Sequence, residues 1–344
     1  MKFLGTLITG VAGIAGAAAL MIGAQAHAQE DTFFKGKEIS IDIGFGAGGG
    51  YDTYGRLMAR HFGRFVPGNP TVIARNVPGA GGVKLAAEIY NVAPKDGTRL
   101  GLFAATTALE PLFGNTDAKY ETTKFTWIGN LDSDVSSCGV WKHTGIKTWQ
   151  DMKTRETTFG ATGPAAITSI HPNVIGALLG LKTKVALGYQ GTRDVNVAMQ
   201  RGEVDGTCGL YMSSIRSQYQ QNVDKGELTV LITLGKQRTK DFPKVPSIFE
   251  LIKNPDDIKL ADLIFGSDAI GRPIAAPPGL APARAATLRK AFDAMVKDPA
   301  FLAEAKKIGL SVDAMSGDEV GKTFASFYKT PKPVVERAMK AMGR

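Results

Sequence analysis

The stretch Gly44-Phe45-Gly46-Ala47-Gly48-Gly49-Gly50 puts five glycines between a strand-like run and a helix-like run. Ahead of it, Ile39, Ile41 and Ile43 alternate with Ser40 and Asp42; behind it, Tyr54, Leu57, Met58, His61 and Phe62 recur at helical spacing. A strand passing into a helix through glycine is an α/β junction. The missing Cβ atoms let backbone approach a partner closely, and the helix start offers unpaired N–H groups and a positive dipole end. A turn of this kind suits a phosphate or a carboxylate alike.

The junction recurs. A strand over 71–76 ends in Pro78-Gly79-Ala80-Gly81-Gly82 before a helix over 83–91, and a third strand follows over 99–104. A strand over 157–160 turns through Gly160-Ala161-Thr162-Gly163-Pro164 into a helix reaching 179. Strands over 184–188, 204–211 and 228–234 alternate with further helices. Two α/β units of similar size, each a mainly parallel sheet with helices on both faces, are expected. Ligands of open α/β sheets sit outside the carboxyl ends of the strands, so the glycine turns should face one another across a cleft. After position 285 the apolar spacing is helical, and the prolines at 273, 277, 278 and 282 make the preceding segment read as loop. At 344 residues the chain has room for two domains.

Residues 1–28 read as a secretion leader: Lys2, a long apolar stretch, and Ala26-His27-Ala28 as the cleavage site before Gln29. Without Lys2 the formal charge falls from +9 to +8, and the basic residues are dispersed with no dense run. That distribution argues against nucleic acid as a partner. Export also bears on Cys138 and Cys208, both in strand-like segments; they can bridge, or remain two buried thiols. They match no zinc pattern.

Little in the chain points to catalysis. Gly44, Gly46 and Gly49 satisfy the dinucleotide spacing, yet Arg75-Asn76-Val77 stands where a ribose-binding acid belongs. Serine-hydrolase and zinc-protease motifs are missing, and His61, His143 and His171 have no partner at metal spacing. His171 reads either as a ligand contact or as a helix-surface residue. Asp132 and Asp134 read as paired carboxylates or as a solvated loop. Asp52 opens the first helix as a charged N-terminal residue or a ligand contact. No cofactor and no metal are expected.

Phe45-Gly46-Ala47-Gly48-Gly49-Gly50-Tyr51-Asp52 resembles the P-x-G-G-x-x-D first loop of the Bug-type receptors of tripartite tricarboxylate transporters. Asn76-Val77-Pro78-Gly79-Ala80-Gly81-Gly82 is similar to their N-x-P-G-A-G-G, and Pro94-Lys95-Asp96-Gly97 to their P-x-D-G. Later pieces follow in order, from Tyr189-Gln190-Gly191 to Pro277-Pro278-Gly279-Leu280-Ala281-Pro282. The resemblance implies a type II periplasmic-binding fold: two α/β lobes joined by crossing strands, with lobe one over 29–135 and 270–344 and lobe two over 136–269. It implies a monomeric periplasmic receptor, rather than an enzyme, that closes on a carboxylate and delivers it to a two-component membrane permease. The residues it carries to the ligand are Phe45, Gly46, Ala47, Gly48, Gly49, Gly50, Tyr51 and Asp52 of lobe one, with Ala161, Thr162, Gly163 and Thr168 of lobe two. Thr106, Thr107 and Asp205 are further cleft positions. Ala47, the longer glycine run and the serine-free Thr162-Gly163-Pro164-Ala165-Ala166 depart from the family pattern, so the solute need not be a typical di- or tricarboxylate. Rival readings are an exported sensor for a signalling partner and an exported nucleotide-dependent oxidoreductase.

Overall fold

A computed structural model describes residues 32–344; the leader read over 1–28 lies outside them. The first lobe opens with β1 (Glu38–Ile43), α1 (Gly50–Phe62), β2 (Thr71–Asn76), α2 (Val83–Asn91), β3 (Arg99–Leu102), α3 (Ala105–Leu109) and β4 (Thr126–Asn130). The chain then crosses into a second sheet: β5 (Ser136–Trp141), β6 (Thr157–Ala161), α4 (Ile167–Leu179), β7 (Thr183–Leu187), α5 (Thr192–Arg201), β8 (Gly206–Tyr211), β9 (Leu228–Thr233) and α6 (Pro255–Phe265). It crosses back into β10 (Pro273–Ala276), α7 (Pro282–Met295), α8 (Pro299–Lys307), β11 (Met315–Ser316), α9 (Gly317–Phe327) and α10 (Lys332–Ala341).

The two sheets run β11-β4-β10-β3-β1-β2 and β7-β6-β8-β5-β9. Within each, the strands from its own α/β units pair in parallel, and one strand delivered from across the molecule, β10 or β5, inserts antiparallel. The two lobes, their cleft and their crossing strands make this the two-lobed periplasmic-binding architecture.

Residues 273–276 are a fully buried central strand rather than the loop expected from their prolines. Pro273 sits at the first strand position, where a missing N–H removes no central ladder bond. α1 buries Tyr54, Leu57, Met58 and Phe62 against β1 and β2, each large side chain worth about 1.5–3 kcal/mol. α7 and α9 cover β4, where the Phe292 ring fills the space that a side chain at Gly129 would occupy.

The last helix departs from the assignment of 270–344 to lobe one. The apolar face of α10, Val334, Val335 and Ala338, shares a core with α4 and α6 of the second lobe. Asn173 Nδ2 donates to Met342 O, and Arg344 donates to both Glu110 of lobe one and Pro164 O of lobe two. The stripe is apolar, and the second-lobe helices are where its burial is completed.

Candidate functional site

Two segments cross between the lobes, residues 131–135 and 266–272. They are hydrogen-bonded to each other: Leu131 N donates to Arg272 O, Gly271 N to Asp132 O, and Arg272 N to Asn130 Oδ1. At this seam lies a cavity of about 30 Å³ lined by the carboxyl ends of β1, β6 and β8. Phe45, Tyr51, Ile167, Leu210, Tyr211 and Tyr219 give it an apolar wall, and Arg272 is the charged residue in its lining.

Arg272 is 1% exposed. Its guanidinium carbon lies 4.4, 4.9 and 4.3 Å from the ring centres of Tyr51, Tyr54 and Tyr211, stacking that stabilises a desolvated cation. Nη1 donates to Gly271 O at 2.8 Å. Among the described residues, Nε has no hydrogen-bond partner, and neither has the buried Tyr51 hydroxyl. Buried donors left this way are the exception in folded proteins, and here both belong to residues that line the cavity.

Buried acids flank the cation. Asp132 accepts from Tyr54 Oη at 2.7 Å, Ser311 Oγ at 2.8 Å and Asp313 N at 3.0 Å. Burial, with Asp134 nearby, pushes its pKa to about 6 against those bonds. Asp268 accepts from Ser136 Oγ at 2.5 Å and Tyr211 Oη at 3.1 Å, and burial pushes it to about 7. His171 is neither a surface residue nor part of the cavity lining: it is fully buried, 3.2 Å from Ser136 Oγ, and burial lowers its pKa to about 3.

The glycine loop of lobe one reaches across to lobe two. Gly46 N donates to Gln190 O at 2.7 Å, and a Cβ on Gly46 would stand 3.0 Å from that carbonyl. A Cβ on Gly50 would meet Ser214 Oγ at 2.6 Å, and one on Gly163 would collide with the backbone of Gly81. The glycines therefore allow a close backbone-to-backbone approach of the two lobes. Beside the seam, Phe45, Pro78, Gly79, Thr162 and Gln190 help line a second crevice of about 210 Å³.

Of the residues singled out in the sequence, Phe45, Gly49, Gly50, Tyr51, Thr162 and Thr168 line the cavity. Gly46, Ala47 and Gly48 belong to the same loop outside that lining, and Gly48 N donates to Asp52 Oδ2 at 2.8 Å. Asp52 braces the loop from behind, accepting also from Arg56 Nε at 2.9 Å and Asn76 Nδ2 at 2.8 Å. Burial opposes its charge, but these bonds outweigh burial and hold its pKa low. Thr106 Oγ1 bridges the lobes to Ala165 O at 3.0 Å, whereas Thr107 Oγ1 donates to Gly81 O at 2.8 Å. Ala161 and Gly163 support the second-lobe turn without lining the cavity. Asp205 is not brought there: its carboxylate accepts from Thr158 N at 2.7 Å, near the amino end of β6, and lies 3.5 Å from His143. Cys138 and Cys208, register partners on β5 and β8, are joined as a disulfide.

Arg272, Tyr211, Ser214 and Tyr219 were not foreseen. The signal available for the first was a lone arginine inside the apolar run Ile270-Gly271-Arg272-Pro273-Ile274-Ala275-Ala276.

Residues 68–339 match the tripartite tricarboxylate transporter family receptor. The chain belongs to that family. It is a receptor family rather than a class of enzymes, and its members are solute-binding proteins. A UPF0065 protein of the gbd 5′ region of Cupriavidus necator is 28% identical over 95% of both chains. The periplasmic binding protein BugD superposes with a TM-score of 0.70 at 18% identity, covering 89% of this chain and 97% of its own. MatC of Rhodopseudomonas palustris with bound malate gives 0.68 at 17%, covering 89% and 99%. Rpa4515 of the same organism with adipate gives 0.68 at 15%, covering 89% and 97%.

Proposed function

We propose that this protein is an exported periplasmic receptor that captures a small carboxylate between its lobes and hands it to a two-component membrane permease. The observation that carries the reading is Arg272: a buried cation with an unpaired Nε, lining an interlobe cavity at the crossing segments. An anion placed there gains charge-assisted hydrogen bonds worth about 1.5–3 kcal/mol each. Family membership and the malate and adipate of the two fold neighbours support the carboxylate class.

The moving bodies are the first lobe with its C-terminal return through α9, and the lobe over 136–269. Gly46, Gly81, Gly163 and Thr106 form the faces that meet, so ligand and interlobe contacts favour the same closed state. Only that state would present both lobes to the permease in one arrangement.

Thermal-shift screening of the exported chain against carboxylates, sugars and amines tests the capture step. Carboxylates are expected to raise the melting temperature. A shift with sugars or amines alone would overturn the carboxylate reading. Delivery is tested by uptake of the identified ligand in cells with and without the cognate permease; uptake that ignores the permease would refute it.

A further inference from the structure

Resting on the receptor reading, we infer that the solute is a monoanion with a short apolar body, seated with its carboxylate on Arg272 Nε and the Tyr51 hydroxyl. A family of di- and tricarboxylate carriers would suggest a solute with two or more charged ends. This cavity is built otherwise.

Its lining carries a single charged side chain, Arg272. One N–H of Nη1 is committed to Gly271 O, and the three tyrosine rings around the guanidinium restrict how a ligand can approach it. Nε–H and Tyr51 O–H are two buried lining donors without a partner, enough to seat the two oxygens of one carboxylate. The Tyr51 hydroxyl lies beside Arg272 and Tyr211.

The rest of the lining offers little to a second charged end. Phe45, Ile167, Leu210 and Tyr219 are apolar contacts, Thr162 and Thr168 engage each other, and Thr192 and Ser214 add only neutral hydroxyls. A second carboxylate would lose its water without gaining a cation. Asp132 and Asp268 make no contact ion pair with Arg272; each is held by its own donors, and burial disfavours the charge of both. The positive charge is therefore available to a ligand. At about 30 Å³ the cavity is small, which favours a short body over a long one.

Isothermal titration calorimetry of the exported, disulfide-bonded chain decides this with matched probes at one pH. Acetate, butyrate and benzoate represent the monoanions, the last testing the size limit; succinate, malate and citrate represent the multiply charged acids. Butyrate is expected to bind at least tenfold more tightly than succinate, which has the same carbon count. Tyr51→Phe should weaken butyrate binding about fivefold while leaving the ligand-free melting temperature unchanged. Arg272→Lys should weaken it tenfold or more, because lysine keeps the charge and loses the planar fork. If succinate or malate binds more tightly than butyrate, the monoanion assignment is overturned while the carboxylate receptor stands. If no acid of either set binds, the receptor's carboxylate reading falls too. Undiminished butyrate affinity in Tyr51→Phe would remove the proposed seat even if Arg272→Lys failed to fold.

Discussion

The two lobes repeat one sheet order, β2-β1-β3-β10-β4 and β7-β6-β8-β5-β9, but they secure the inserted antiparallel strand differently. In lobe two, β5 is covalently fastened to β8 through Cys138 and Cys208. In lobe one, β10 has no covalent fastening; it is held by its ladders with β3 and β4 and lies beneath a packed layer where Phe292 fills the gap over Gly129 of β4. The lesson is that the same topological problem has an entropic and a packing solution. The packed lobe receives three further helices after β10, α7, α8 and α9. The lobe without them carries the bridge.

Breaking lobe one should have the largest effect. Phe292→Ala removes a fully buried ring and is expected to destabilise that lobe by about 3–5 kcal/mol. Hydrogen-exchange mass spectrometry should show faster exchange in β3, β4 and β10 before any change in β5 to β9. Uniform loss of protection in both lobes would mean they unfold as one unit.

Replacing both cysteines by alanine opens a bridge across 70 residues of chain, which is expected to cost about 2–4 kcal/mol, felt mainly in lobe two. Urea unfolding with and without reductant checks it. Equal midpoints in the wild type under both conditions would show that the bridge adds nothing to stability.

Gly163→Ala probes where the lobes meet rather than either lobe. Its added methyl collides with Gly81 across the seam, so ligand affinity should fall about tenfold, or about 1.4 kcal/mol. The ligand-free melting temperature should hold, and a fall in both would place Gly163 in the lobe-two core instead.

A pH slope on the crossing segment probes the same seam by titration. Asp268 faces Ser136, Tyr211, His171 and Arg272, with Asp134 nearby, and burial raises its carboxyl to about 7. Its folded value lies above the unfolded one, so the stability it contributes is complete below about 4 and is lost as pH rises through about 7. The free-energy difference between wild type and Asp268→Asn should shift against wild type across that window, by at most about 1.4 kcal/mol per pH unit. His171, depressed to about 3, acts in the opposite direction below about 6.5 and is common to both proteins. A difference independent of pH would show Asp268 ionised in the folded protein.

Much of this was legible locally. The alternation of β1, α1, β2, α2 and β3 follows from apolar periodicity and glycine turns, and the family resemblance rested on those same turns. What stayed hidden depends on residues distant in sequence. Pro273 disguised a central strand because its ring is harmless only at the position the fold assigns it. Arg272 became meaningful once 266–272 paired with 131–135, from the other side of an entire lobe. Asp205 sits beside a glycine like the residues that line the cavity, yet local sequence does not say which end of a sheet a turn occupies.

The placement of α10 has a mechanical consequence. Residues 131–135 and 266–272 lie side by side as a double connection between the lobes, and a hinge at that line alone would permit both swing and twist. The link from α9 to α10, packed on lobes one and two respectively, is a third tether set away from that line. If the lobes open and close as proposed, an off-axis tether would leave a single easy rotation, and each opening would retrace the same arc and return Gly46 to Gln190 in register.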